Sequence, residues 1–421
     1  MTTSDITKNL LPTLRSRLEY LDYLDRWSVG TVDELRAHMT PRALVKAFLL
    51  ETSRFDGQRD AVSALSSASR TATSVDNTLH RLRWPGDDMD WALLDVEDER
   101  YPVLYTAVET KIASRRVDRL VTSSALLDRA WFAAPMFQRL WDIVLRTFPD
   151  YRFSQIVFQH ESLYEALPDL SAIEPQTDDP SIDSDEASEE EEDALDLDEQ
   201  PEERRDVERR QAKMRITERI GRLRGAIPAM REVYNPLASI VQLRMPATVK
   251  GGHDIYYDGR FTNRSESFTA FRQTVQTVSN IYRNSTEAAE ASAWPRHSEG
   301  AADRFSAGAP IFLKFNDRLE PDTFERWIAA LRRKNNRFRL WANPIARGPG
   351  KVHLYAVDNH LWQPIDLEVT LTHMFGLLPA GTCGNTVHRL VTNIQRYIDP
   401  AVTTFIGDEP YQGFLERAAA A

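Results

Sequence analysis

The sequence predicts an α+β multidomain chain with a helical N-terminal domain, a central α/β unit and a C-terminal ferredoxin-like α+β sandwich. Three observations predict it. Apolar residues recur at helical spacing through the first 85 residues, and strand-like runs alternate with helical ones from about 86 to 173. From 309 to 408 the order is strand, helix, strand, strand, hairpin, helix, strand.

Taken in order, Leu14, Leu18, Leu21 and Leu24 mark an amphipathic helix, Thr31 and Glu34 form a capping box, and Thr40-Pro41 reads as a helix start. Two short helices across residues 31–50, with a third element near 75–86, would permit a winged helix-turn-helix. Its basic residues would be Arg42, Lys46, Arg81 and Arg83. In the central unit, Trp91–Val96, Val117–Thr122 and Ser154–His160 read as strands, with helices over Tyr101–Arg115 and Ser124–Phe148.

Residues 174–203 hold 16 acidic side chains and no Lys or Arg, which predicts a disordered linker. The whole chain of 421 residues carries 52 Lys+Arg against 63 Asp+Glu, so removing this stretch leaves 52 against 47. The rest is mildly basic. From 204 to 283 the sequence predicts a basic helix with Ile216, Ile220, Leu223 and Ile227 on one face, then a β-hairpin and a helix beginning at Phe268. Residues 284–308 read as a second linker and 409–421 as a tail. In the hairpin, His253, Asp254 and Asp258 contain metal-ligand chemistry, but the pattern is that of a turn with Asp and Gly in their usual places.

The single cysteine, Cys383, excludes a disulfide scaffold and any Cys-cluster metal site, and points to a reducing compartment, so a cytoplasmic location is expected. No apolar run is long enough to span a bilayer. No Gly-rich phosphate loop or dinucleotide fingerprint follows any strand, and His360, Asp366, His373 and His388 match no metal template. The expectation is therefore no cofactor and no metal.

Two features carry chemistry. From Arg326 to Lys351 eight Lys+Arg stand without an acid. Strand alternation puts Arg337, Arg339 and Trp341 on one face, and Lys351, His353 and Tyr355 on one face of the next strand. With Arg332, Arg333 and Lys334 these would form a basic, aromatic surface suited to nucleic acid or another polyanion. The second is the segment Gly381-Thr-Cys383-Gly-Asn-Thr-Val-His-Arg389. Its Cys-to-Arg spacing resembles the phosphate loop of cysteine-dependent phosphatases, which implies a thiolate nucleophile at Cys383 and a phosphate clamp at Arg389. It departs from that family in having Leu390 after the Arg and Gly384 directly after the Cys. The plainer reading is a helix N-cap at Thr382 or Asn385 with a buried thiol.

The expected function is a non-enzymatic binding or adaptor component of a cytosolic assembly, with a basic C-terminal surface for a protein partner or nucleic acid. The alternatives are a hydrolase, either phosphatase-like at Cys383 and Arg389 or a nuclease, and a helix-turn-helix regulator.

Overall fold

The computed structural model describes residues 11–37, 43–52, 62, 65, 71–84, 90–160, 212–233, 239–297, 305–306, 308–333 and 336–420. In chain order, helix α1 (Arg17–Arg36) precedes strands β1 (Lys46–Thr52), β2 (Thr71–Ser74), β3 (Leu79–Arg83), β4 (Asp90–Asp95) and β5 (Val103–Thr106). Helix α2 (Thr110–Ser123), strand β6 (Leu127–Arg129), helix α3 (Ala134–Thr147) and strand β7 (Phe153–His160) follow. Next come β8 (Ala212–Arg219), α4 (Ile220–Val233), β9 (Ile240–Pro246), β10 (Gly252–Tyr256) and β11 (Arg260–Asn263). Helix α5 (Phe268–Ala293) then leads to the two-residue strands β12 (Arg296–His297) and β13 (Phe305–Ser306). The C-terminal part is β14 (Ile311–Lys314), α6 (Pro321–Leu331), β15 (Leu340–Gly348), β16 (Lys351–Asp358), β17 (Gln363–Thr370) and β18 (His373–Leu377). It ends with α7 (Asn385–Tyr397), β19 (Thr403–Ile406), β20 (Glu409–Pro410) and α8 (Tyr411–Ala420).

Mixed α+β structure is borne out, built on two large antiparallel sheets. The first has the order β2-β3-β4-β5-β1-β11-β10-β9-β7-β8, with β6 also paired to β1. Strands from all three predicted units (1–85, 86–173 and 204–283) therefore join one sheet. β7 and β8 pair from Phe153↔Arg219 to His160↔Ala212, so residues 161–211, which contain the acidic tract and lie outside the described residues, connect the two arms of a hairpin. The second sheet has the order β15-β16-β17-β18-β14-β19-β20. Four meandering strands stand between α6 and α7, the two of a ferredoxin-like sandwich and the further hairpin that the sequence places over residues 365–378.

β1 shows why this half was hard to read. Ala47 and Leu49 face the larger core, which extends into the second sheet; Phe48 and Leu50 face a smaller one beneath α2. A strand buried on both faces has no alternation, and its apolar run looks helical. The helix predicted over Pro41–Leu50 is accordingly a strand from Lys46 onward, and α1 passes through Thr31 and Glu34 without a break. Thr31 Oγ1 donates to the Trp27 carbonyl at 2.8 Å, as a residue inside a helix does. Lys46 is buried and donates to the Leu44 and Val108 carbonyls, while Arg81 and Arg83 pair with Asp90 on β4. Arg42 lies outside the described residues.

Other departures have equally local causes. Residues 117–122, predicted as a strand from their valines, belong to α2, whose Ala113, Val117, Leu120 and Val121 are its buried face. The basic segment after the acidic tract is a strand over Ala212–Arg219 before it turns helical at Ile220. Residues 284–293 continue α5, because Ser285, Thr286, Ala289 and Ala293 are a small-residue face packed against other elements, with Glu290 buried beside them and paired to Arg100. The predicted tail is α8, with Phe414 and Leu415 buried.

Candidate functional site

The loops and helix ends joining the two sheets meet in a buried polar seam. From the first sheet come Glu51 on β1, Arg100 before β5, and Asp128 on β6; α5 contributes Tyr282 and Glu290. From the second come Asp358 at the end of β16, His360 in the following turn, Cys383 before α7, and Asn385, Thr386 and Arg389 within α7. All are buried.

Glu51 is the centre of one cluster. It stands on the same face of β1 as Ala47 and Leu49, pointing at the second sheet. One carboxylate oxygen accepts from the Cys383 thiol at 3.0 Å and from Arg100 Nε at 3.2 Å; the other is 2.5 Å from His360 Nε2. His360 Nδ1 lies 3.0 Å from the Ala125 carbonyl, which can only accept, so that nitrogen carries a proton. The Arg100 guanidinium also pairs with Glu290, and its Nη2 is 3.8 Å from the Cys383 sulfur. Burial alone would raise the Glu51 pKa, but His360, Arg100 and Cys383 together hold it below the ordinary carboxylate value. Burial, with the negative charge of Glu51 beside it, pushes the Cys383 thiol well up.

The second cluster surrounds Arg389, which is 0 % exposed. Its Nε donates to the Phe338 carbonyl at 2.9 Å, one terminal nitrogen pairs with Asp128 and the other with Asp358 at 2.6 Å. Asp128 also accepts from Arg339 and Asn385, and Asp358 from Thr386. Although burial opposes ionisation of Asp128, Arg389 and Arg339 keep its pKa far below the usual range.

The Cys383 loop is built otherwise than a phosphate loop. The thiol is not lowered, and the Arg389 guanidinium is occupied by two carboxylates and a carbonyl rather than facing the sulfur. Neither Thr382 nor Asn385 caps α7: its N-cap is Gly384, Thr382 donates to the Pro379 carbonyl, and Asn385 reaches Asp128 and the Arg129 carbonyl. Gly384 is required by close approach. A Cβ there would lie 2.3 Å from the Thr286 carbonyl oxygen and 3.0 Å from Glu290 Cγ. Gly384→Ala is expected to cost about 1–3 kcal/mol, because backbone rather than a flexible side chain must give way. Urea unfolding of the two proteins measures it, and an unchanged midpoint would contradict this packing.

The predicted basic face divides. Arg339 does not share a face with Trp341: it precedes β15 with φ 52° and sends its guanidinium inward to Asp128 and the Leu127 and Val121 carbonyls. A β-period argument cannot see a residue that lies outside the strand. Arg337 reaches the Tyr397 hydroxyl, Arg332 and Arg333 are exposed at the end of α6, and Lys334 lies outside the described residues. The β15–β16 hairpin forms as expected, and Trp341 and Tyr355 are each 51 % exposed. Lys351 pairs with Glu368 at 2.8 Å, and His353 approaches Asp366 at 3.6 Å. Glu368 on β17 thus neutralises Lys351, a cation that looked unopposed within residues 326–351. The hairpin residues are separate from one another too: His253 faces Thr274 and Ser265, Asp254 pairs with Arg244 and Arg264, and Asp258 with Arg129.

Fold and seam thus define an α+β chain whose two antiparallel sheets are joined by buried ion pairs. The chain belongs to the MJECL33-like protein family, whose model matches residues 13–411 and so takes in both sheets and the seam. An uncharacterized protein, MJECL33, from Methanocaldococcus jannaschii is 30% identical over 146 residues, 35% of this chain and 34% of that protein. That match spans about a third of the relative's length. No solved structure matches.

Proposed function

We propose that this chain is a non-enzymatic binding component whose second sheet presents its outer face to a protein partner. The observation that carries the reading is the composition of that face. In register across the sheet run Asn343, Tyr355, Asp366 and Leu377, and beside them Ile345, His353, Glu368, Phe375, Phe312 and Phe405. Trp341, Tyr355 and Leu377 are about half exposed, although the opposite face is closed by the core. Half-exposed aromatic and aliphatic groups interleaved with paired charges give the mixed, amphipathic composition of a protein-docking surface. A polyanion site needs unpaired cations, and Lys351 and His353 have carboxylates beside them.

The test is affinity capture from the native cell extract with the intact chain and with a Trp341→Ala/Tyr355→Ala variant of equal thermal stability. A discrete partner held by the intact chain, released by the variant, and bound with little dependence on salt supports the reading. Equal capture by both proteins overturns it. So does tight binding of the intact chain to single-stranded oligonucleotide that collapses with salt, which would instead make the face a nucleic-acid surface.

A further inference from the structure

We propose that Glu51, His360 and Cys383 form a binding site for one borderline-soft divalent cation of the zinc class, bridging the two sheets. The observation is geometric. A carboxylate oxygen, the His360 Nε2 and the Cys383 sulfur lie within 4.8 Å of one another, and all three residues are buried. This set goes beyond the docking reading, because it lies inside the molecule and none of its residues belongs to the outer sheet face.

Three independent features of the site suit a cation. The first is ring orientation. The Ala125 carbonyl holds a proton on His360 Nδ1, which fixes the ring so that Nε2 is the nitrogen facing Glu51, where a cation would take the place of the Nε2 proton. A histidine whose other nitrogen donates to a backbone carbonyl is the usual supporting arrangement for a metal ligand. The second is donor type. One sulfur, one imidazole nitrogen and one carboxylate oxygen match zinc and its neighbours, whereas magnesium and calcium select oxygen donors.

The third is charge. The seam holds the carboxylates of Glu51, Glu290, Asp128 and Asp358 against the guanidiniums of Arg100, Arg339 and Arg389 and the His360 ring, which donates from both nitrogens, to the Ala125 carbonyl and to Glu51. Taking up the ion displaces two protons, one from Cys383 and one from His360 Nε2. A divalent ion restores the two positive charges so removed, inside a region where uncompensated charge is costly. Arg100 Nη2 and the Asn385 N–H, at 3.8 and 3.4 Å from the sulfur, are placed to support that thiolate.

A surface cleft of about 430 Å³ lies on the other side of Arg100, lined by Glu97, Asp98, Glu99 and Glu287 together with Arg283 and Tyr101, and Arg100 is shared between the cleft and the site. Tetrahedral ligation at about 2.0–2.3 Å sets donors roughly 3.3–3.8 Å apart, so the His360 and Cys383 contacts to Glu51, now 2.5 and 3.0 Å, lengthen by roughly 0.5–1 Å as the ion enters. Three protein ligands leave a fourth position for water or another small donor.

The test uses the full chain, purified, stripped with chelator and reloaded with zinc or cobalt. The expected results are one zinc per chain retained through gel filtration, a thiolate-to-cobalt charge-transfer absorption, and a chelator-induced fall in Tm. Cys383→Ser is expected to abolish the absorption. His360→Gln is expected to lower retained zinc at least tenfold, the loss typical when part of a ligand set is removed. If Cys383→Ser does not fold, the intact chain decides the matter through zinc content and the cobalt spectrum. Absence of stoichiometric metal after reloading the intact chain overturns the proposal. Zinc retention and a cobalt spectrum unchanged in Cys383→Ser would do the same.

Discussion

Replacing Arg389 by methionine is expected to destabilise the fold by about 3–5 kcal/mol, the cost of leaving buried carboxylates without their counter-charge. Arg389 is 0 % exposed and lies between Asp128 and Asp358, themselves 0 % and 1 % exposed. Its partners come from different sheets, so the loss falls on the joint between them. Lysine is no substitute, because a point charge cannot reach two carboxylates and the Phe338 carbonyl through three separate donors. Denaturant unfolding of Arg389→Met supplies the number, and a loss below 1 kcal/mol would contradict the ion-pair account. Neutralising Asp358 as well, with Asp358→Asn in the same chain, is expected to recover part of the loss, because Asp128 keeps Arg339 as its partner. Buried ion pairs are expensive to break from one side and much cheaper to remove whole.

Acid is expected to weaken the protein well above the pH at which carboxylates titrate. His253 and His388 are both 0 % exposed, and burial pushes each pKa down from 6.5 to about 3. His253 is fixed between Thr274 and Ser265, and His388 faces Tyr411 and Tyr282, none of which offers a charge to hold a proton. The unfolded chain protonates these rings below about pH 6.5, whereas the folded chain does not until about pH 3. Stability contributed by the neutral rings is therefore fully present above pH 6.5 and falls as the pH drops through that window. Between pH 7 and pH 5 the loss is roughly 2 kcal/mol for each histidine, and roughly 4 kcal/mol for both. Urea midpoints at the two pH values measure it, and His253→Gln should remove about half of the difference. An unaltered pH dependence in that variant would show that other groups are responsible.

The second sheet was largely legible in the sequence because its elements obey local rules. β14, α6, β16, the β17–β18 hairpin, α7 and β19 lie where apolar periodicity and turn residues placed them. The first sheet was not legible to the same degree. β1 is covered on both faces, so its signal is length and composition rather than alternation, and its partners β5, β6 and β11 are distant in the chain. The small-residue stretch after Arg283 read as a linker, yet Ser, Thr and Ala there allow Gly384 to approach the α5 backbone.

The seam was harder still. Cys383 and His360 were noticeable in the sequence, but Glu51 only closes the apolar run of residues 47–50, and Asp128, Asp358 and Glu290 have no motif spacing. Their separations along the chain reach 332 residues for the Cys383–Glu51 contact. What brings them together is the docking of one sheet on the other, which no local pattern encodes. The charged residues at the two ends of a short apolar run, Lys46 and Glu51, were the one available sign, because such residues are rarely buried without a partner.

The pairing of β7 with β8 fixes where the acidic tract is attached. Residues 161–211 leave the sheet at His160 and return to it at Ala212, its cross-strand neighbour. Both ends are therefore set by the ladder, and the pairing itself makes no demand on the number of residues between them. The segment that gives the whole protein its negative charge thus starts and returns at two facing positions of one strand pair, at the edge of the first sheet.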